Sequence, residues 1–167
     1  MRPVLPRLAC ILACLAVAGA CTPLPADPEH TLERVRGGVM RVGVVDDPPL
    51  IHAGADGSPT GREIQALQML ARELQARIEW HPGTHDRLME GLDAFRLDLV
   101  VGGTEVDSPW QDHVALSQAY RVSAPDGMPV MRVVGLPPGE NGWRREVERF
   151  MARDAVRHVL QADAPRP

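Results

Sequence analysis

Leu97-Asp98-Leu99-Val100-Val101-Gly102-Gly103-Thr104 is the stretch on which the fold turns. Residues 97–101 form a nearly continuous apolar run, which the paired glycines stop at once. A strand with no apolar–polar alternation belongs in a sheet covered on both faces. Such sheets are parallel and need crossover helices, so helices and strands should alternate upstream. They do. Thr84 is the expected N-cap of a helix over 86–94 that turns Leu88 and Leu92 inward. Arg77-Ile78-Glu79-Trp80 reads as a strand. Over 62–76, Ile64, Leu67, Leu70, Ala71 and Leu74 recur at spacings of three and four, which is one apolar stripe of a helix. Val39-Met40-Arg41-Val42-Gly43-Val44-Val45 reads as the first strand. Asp46-Asp47-Pro48-Pro49 cuts it off, because proline cannot continue a ladder.

The remaining segments fit around this frame. Ala55-Asp56-Gly57-Ser58 is a turn signal for the tip of a small hairpin. A short helix is expected over 31–36, stopped by Gly37-Gly38. One further strand is expected over 129–135. A single last helix is expected over 141–160, burying Trp143, Val147, Phe150, Met151 and Val159 and leaving Arg145, Glu146, Glu148, Arg149 and Arg153 as a solvated face. The order strand, helix, strand, helix, strand implies right-handed crossovers. The fold class expected is α/β: one lobe, three layers α/β/α, with a mainly parallel sheet.

The N-terminus reads as an export signal. Arg2 and Arg7 are the only charges before Asp27, and 13 apolar or small residues run from Leu8 to Ala20. A membrane span needs about 18 or more, whereas a basic start, a short apolar run and small residues before a cut make a secretory signal. Ala18-Gly19-Ala20-Cys21 resembles a lipobox, in which Cys21 is lipidated and becomes the first mature residue. Cys10 and Cys14 leave with the leader, so the mature chain has no cysteine pair for a disulfide. The organisation expected is a leader over 1–20, a Pro-rich tether over 21–30, an α/β lobe over 31–160 and a disordered tail over 161–167. The formal charge is −4. It becomes more negative once Arg2 and Arg7 are removed, which argues against a nucleic-acid partner.

Open parallel sheets bind ligands beyond the carboxyl ends of their strands. Two ends qualify here, Asp47-Pro48-Pro49-Leu50 and Gly102-Gly103-Thr104. The prolines fix one loop, the glycines strip side-chain bulk from the other, and Thr104 adds a hydroxyl. The other reading of both is an ordinary βα turn. His81 and His85 flank Pro82-Gly83 and so do not present as a helical i, i+4 metal pair. Ser117, His113 and Asp112 are neighbours in sequence only, which makes no triad. Neither a metal nor a cofactor is expected, and no enzyme chemistry.

From Thr31 to Tyr120 the chain resembles the first lobe of solute-binding protein family 3, the binding proteins of polar amino-acid ABC transporters. The resemblance rests on Leu32-Glu33-Arg34-Val35-Arg36 leading into Arg41-Val42-Gly43-Val44, then Pro48-Pro49 and Pro59-Thr60-Gly61. It continues through Ala71-Arg72-Glu73-Leu74, Ile78-Glu79-Trp80, Leu92 and residues 98–104. Ser117 and Tyr120 fall where that family has a Phe-Ser-x-Pro-Tyr segment before its hinge. The resemblance implies a type II periplasmic-binding-protein-like lobe. It implies a small polar, amino-acid-like solute held by Asp47, Pro49, Leu50, Gly102, Gly103 and Thr104, with Trp110 at the rim. An ABC permease or another envelope protein would be the partner, and the location would be the periplasm. The anchor would be lipid only, with Thr22 after the cysteine mildly favouring the outer membrane.

Three departures from the family pattern matter, the first two for specificity and the third for stability. Leu50 stands where the family has an aromatic. Trp110 stands near its carboxylate-binding Arg, and Phe95 replaces a helix-ending Gly. After Tyr120 only 47 residues follow, fewer than a second lobe of about 100 needs. Val133-Val134-Gly135-Leu136-Pro137-Pro138-Gly139-Glu140-Asn141 resembles the return to the first lobe. The expectation is therefore one lobe without its closing partner, serving as a binding component or, alternatively, as a single-lobe sensor that docks an envelope protein. Dehydratases and lytic transglycosylases of related fold need parts that are not seen in this sequence.

Overall fold

The computed structural model describes residues 27–54, 58–124, 126 and 128–162. The leader, Cys21, most of the tether, the turn tip at Ala55-Asp56-Gly57 and the tail beyond Ala162 lie outside the described residues.

Strands β1 (Val39–Val44), β4 (Arg77–Pro82), β5 (Leu99–Val101), β6 (Ala115–Leu116) and β9 (Gly135–Leu136) form one sheet in the order β4-β1-β5-β9-β6. β1 pairs parallel with both β4 and β5. β9 runs antiparallel between β5 and β6. Helix α1 (Thr31–Val35) precedes β1. The hairpin β2 (Ile51–His52) and β3 (Thr60–Gly61) leads into α2 (Arg62–Glu73) and so to β4. Helix α3 (His85–Asp93) crosses from β4 to β5. The alternation read from sequence is present, element for element, as far as β5.

The run over 97–101 is apolar throughout because the sheet is covered on both sides. Leu99 and Val101 face one core with Val42, Val44 and the stripe of α2, whereas Val100 faces a second core with Leu88, Met89 and Leu92 of α3. Gly43 and Gly135 let α3 approach. A Cβ at Gly43 would come 3.1 Å from Leu88 Cδ2, and one at Gly135 would come 2.9 Å from Leu92 Cδ1. Thr84 sits at the N-cap of α3, although its side chain makes no capping bond. Phe95 takes the left-handed conformation (φ 54°) after α3, the place a glycine would occupy at lower cost.

Two expectations beyond β5 are corrected. The strand expected over 129–135 is two strands, β8 (Pro129–Arg132) and β9. β8 pairs with β7 (Tyr120–Ser123) in a separate antiparallel ribbon. The last helix is also two, α4 (Asn141–Met151) and α5 (Asp154–Gln161), broken at Ala152-Arg153 where Arg153 is extended. Continued past Phe150, one helix would turn Asp154 and Arg157 onto the buried face. The break re-phases the chain so that Val156 and Leu160 are buried instead, with Val159 only partly so.

The C-terminal segment returns to the N-terminal one. The buried carboxylate of Glu140 accepts the Glu29 and Thr31 amides at 2.6 and 2.8 Å and so caps α1, and Asp27 accepts the Gly142 amide. Asp98 is the other tie. Its fully buried carboxylate accepts from Arg34 Nη2 and Arg41 Nη2, each at 2.6 Å, and from the Arg41 amide at 2.8 Å. Burial pushes this carboxyl up, but the hydrogen bonds from Arg41 and Arg34 outweigh it and hold it below the ordinary carboxylate range. Asp98→Asn should therefore cost about 3–5 kcal/mol at neutral pH by leaving two guanidiniums without their counter-charge and turning an amide donor on to them. Because the folded value is depressed, the contribution is present above the unfolded value near 3.9 and is lost as pH falls through the folded one. Urea unfolding of wild type and variant from pH 7 down to pH 3 checks this. A difference that does not shrink with acid would contradict it.

Candidate functional site

β1 and β5 are parallel neighbours, so the loops leaving their carboxyl ends lie side by side. The β1 loop closes tightly. The Leu50 and Ile51 amides donate to the Asp47 carbonyl at 2.9 and 3.0 Å, and the Asp47 amide donates to the Ile51 carbonyl at 3.1 Å. Asp46 Oδ1 accepts the Ala53 amide at 2.8 Å. The Asp47 carboxylate then faces the β5 loop, where Oδ2 accepts the Gly103 amide at 3.0 Å and Arg132 Nη2 at 3.0 Å. Gly102 makes this approach possible: at φ 102° a Cβ there would lie 2.4 Å from the Val45 carbonyl oxygen.

The seven residues expected to bind ligand separate in space. Asp47 and Gly103 are partly exposed at the junction, and Pro49 is exposed beside them. Gly102 and Thr104 are buried behind. Thr104 Oγ1 lies 3.3 Å from His85 Nε2, and its carbonyl accepts the Val133 amide at 3.2 Å. Leu50 points away and packs in the main core. Trp110 lies in a 3-10 turn (Pro109–Asp112) and packs against the α3 core, with its indole N–H donating to Asp86 Oδ1 at 3.2 Å. A shallow hollow of about 330 Å³ opens at the junction, bounded by His85, Gly103, Glu105, Asp107, Ser108 and Pro109. Among the described residues no cluster of three His, Cys, Asp or Glu could hold a metal ion.

Sequence reasoning missed Glu63 and Arg132. Glu63, in the first turn of α2, is 1% exposed. It accepts from the Tyr120 hydroxyl through Oε1, while Oε2 has no partner. Arg132 is nearly buried and holds Asp47 through Nη2, but its Nε is also unpartnered. The signal was available. Glu63 lies four residues before Leu67 and seven before Leu70, on the apolar stripe itself, and Arg132 alternates inward with Val130 and Val134. Burial pushes the Glu63 carboxyl up to about 7, against the lowering effects of the Tyr120 hydroxyl and Arg132. The Tyr120 hydroxyl is raised well above its ordinary value, by burial first and by Glu63 next.

A carboxyl with a raised folded value contributes fully below its unfolded value and loses stability as pH rises towards the folded one. Glu63→Gln removes that decline. Relative to wild type the variant should gain roughly 3 kcal/mol between pH 4.5 and pH 8, about 1.4 kcal/mol per unit of displacement. Denaturant unfolding at several pH values reads this. A pH-independent difference would mean that Glu63 does not titrate between those limits.

Comparisons with known proteins bear on the family and the fold. The profile of the bacterial extracellular solute-binding proteins, family 3, matches residues 40–154. The L-cystine-binding protein TcyJ of Escherichia coli (strain K12) is 30% identical over 115 residues, covering 68% of this chain and 43% of that protein. The membrane-bound lytic murein transglycosylase F of Vibrio cholerae is 30% identical over 82 residues, covering 48% of this chain and 15% of that protein. This chain thus spans less than half the length of the curated relatives it matches. Among solved structures, the arginine-bound form of domain 1 from TmArgBP superposes with TM-score 0.60 at 19% identity, covering 71% of this chain and 95% of that one. The ancestral amino acid-binding protein AncCDT-1 superposes with TM-score 0.61 at 15% identity, covering 79% and 97%. These two establish the fold, a type II periplasmic-binding-protein lobe. The chain belongs to the bacterial extracellular solute-binding proteins, family 3.

Proposed function

We propose that this protein is an exported, lipid-anchored binding lobe that takes a small polar, amino-acid-like solute at the carboxyl ends of β1 and β5. The observation that carries the reading is the polar junction where Asp47, the Gly103 amide and Arg132 converge beside an open hollow. Gly102 and Thr104 back it. Leu50 anchors the loop in the core, and Trp110, partly exposed and bonded to Asp86, stands at the rim. The E. coli relative is named for binding L-cystine, which is the class of solute this reading assigns. The role is binding without chemistry, in the periplasm, in service of an ABC permease. Residues 124–128 alone join β7 to β8, which supports a single-lobe reading over 31–160. A half-cleft buries less of its ligand, so affinity should be modest.

Thermal unfolding against a panel of amino acids, polyamines and organic acids tests the reading. A solute at about 100 times its Kd adds roughly 2.7 kcal/mol, which at this size is a rise of several degrees, about 2–4 °C per kcal/mol. The same solute should shift the Gly103 amide resonance. A flat panel on a cooperatively folding protein would reject solute binding. The second reading, a sensor that docks an envelope protein, draws on Val106, Met128 and Met131, large apolar side chains 54%, 64% and 46% exposed. Partner capture lost in Met131→Glu and unaffected by solutes would favour it.

Lipidation at Cys21 is part of the proposal and is separately testable. Cells given labelled palmitate should incorporate it into the protein, and Cys21→Ser should abolish the label and release the protein from the membrane fraction. Unchanged fractionation of the variant would remove the anchor from the reading.

A further inference from the structure

The junction contains a donor set built for an anion, and the anion in it is the protein's own. A backbone amide in a left-handed turn together with a guanidinium is a common carboxylate-binding arrangement. The Gly103 amide and Arg132 Nη2 both aim at one oxygen, Asp47 Oδ2, each from 3.0 Å. Gly103 has φ 66°. Asp47 is held there by more than these two bonds, since its own amide and carbonyl are engaged in the closed turn over 47–51. The amide has a single hydrogen and already donates it to Asp47 Oδ2, so a second carboxylate cannot accept it while Asp47 remains. Arg132 cannot turn aside to serve another anion at the surface. Its side chain is 13% exposed, is held by Asp47 and interacts electrostatically with the buried Glu63.

We propose that Asp47 is a specificity determinant of the site: its carboxylate occupies the amide–guanidinium pair that a solute's carboxylate would need, and so excludes acids from the junction. The inference rests on the solute-binding reading above. A tethered, pre-oriented group competes far better than the same group free in solution, so acids at ordinary concentrations do not displace it. Solutes enter instead through groups that donate to Asp47, an amide or an ammonium.

The test is carboxylate uptake by the folded protein, with acetate and succinate as probes and the Gly103 amide resonance and the melting temperature as readouts. Wild type should show no saturable response. Asp47→Ala vacates the carboxylate's place and should bind succinate at least about ten-fold more tightly than wild type, as expected for uncovering a charge-assisted donor pair. Acetate should raise the melting temperature of this variant and leave that of wild type unchanged. Asp47→Ser gives the same gain should the alanine variant fold poorly, and adding Arg132→Met to either variant should abolish it. If wild type takes up succinate as tightly as the variants, or if neither variant takes it up, the inference fails whatever the solute panel gives. If the variants gain succinate as stated while no panel solute binds wild type, the assignment of Asp47 stands and the solute-binding reading falls.

Discussion

An ionised carboxyl with no exposed surface costs several kcal/mol unless its oxygens are fully engaged, and Asp98 is in that position. Its two oxygens receive guanidinium nitrogens from Arg34 in α1 and Arg41 in β1, together with the Arg41 amide. Its carbonyl receives the indole N–H of Trp143 in α4 at 2.6 Å. Two consecutive elements, α1 and β1, and the distant α4 are thus brought to the start of β5 by one residue. The pairing of β1 with β5 follows from there, Val42 opposite Leu99 and Val44 opposite Val101. Parallel strands aligned at one end are aligned at the other, which sets the Asp47 loop beside Gly103. The candidate site is the far consequence of an ion pair at the opposite end of the sheet.

The second buried polar group differs in kind. Around Asp98 the hydrogen-bonding capacity of the carboxylate is met. Around Glu63 it is not, since Glu63 Oε2 and Arg132 Nε are buried and unpartnered in the same cluster. Low dielectric makes such incompleteness expensive, so the fold keeps here a polar group that an apolar core would dispense with. Of the two clusters, the incompletely matched one is linked through Arg132 and Asp47 to Gly103, which lines the open hollow. That association fits the general rule that perturbed and part-satisfied groups gather where a protein does something besides fold.

The fold was legible as far as the patterns are local. Strand β1, helices α2 and α3 and the apolar run of β5 each declare themselves by period, and the parallel order follows from their alternation. Beyond β5 the reading failed wherever a change of phase decided the structure. One residue pair, Ala152-Arg153, divides a helix whose composition is uniformly amphipathic, and Val133-Val134 separates two strands that belong to different sheets. At the site, Asp47 and Gly103 were legible because strand ends and glycines mark loops. Glu63 and Arg132 were not, although both sit in register with apolar neighbours. A charged residue on an apolar stripe is easily passed over as an exception, and its partner lies on another element at a distance in sequence no local pattern reports. Leu50 and Trp110 show the converse: their roles were inferred from resemblance, and packing buries Leu50 in the core while Trp110 stays partly exposed, bonded to Asp86.

The ribbon of β7 and β8 completes the lobe. In a two-lobed arrangement the chain would leave after Tyr120 and come back before Gly135. Here residues 124–128 close that gap, and the two strands pair with each other, Tyr120 opposite Arg132 and Val122 opposite Val130. Pairing lays Tyr120 and Val122 into the main core against α2 and α5 and brings Arg132 to Asp47. Arg62, at the start of α2, fixes the ribbon by donating to the Ser123 carbonyl at 2.8 Å. The same register that buries the Tyr120 hydroxyl on Glu63 therefore delivers the guanidinium to the strand-end loops. On the single-lobe reading, contacts that closure would otherwise supply have to come from within the lobe. The ribbon contributes indirectly, because Arg132 holds in place the Asp47 carboxylate that faces the junction.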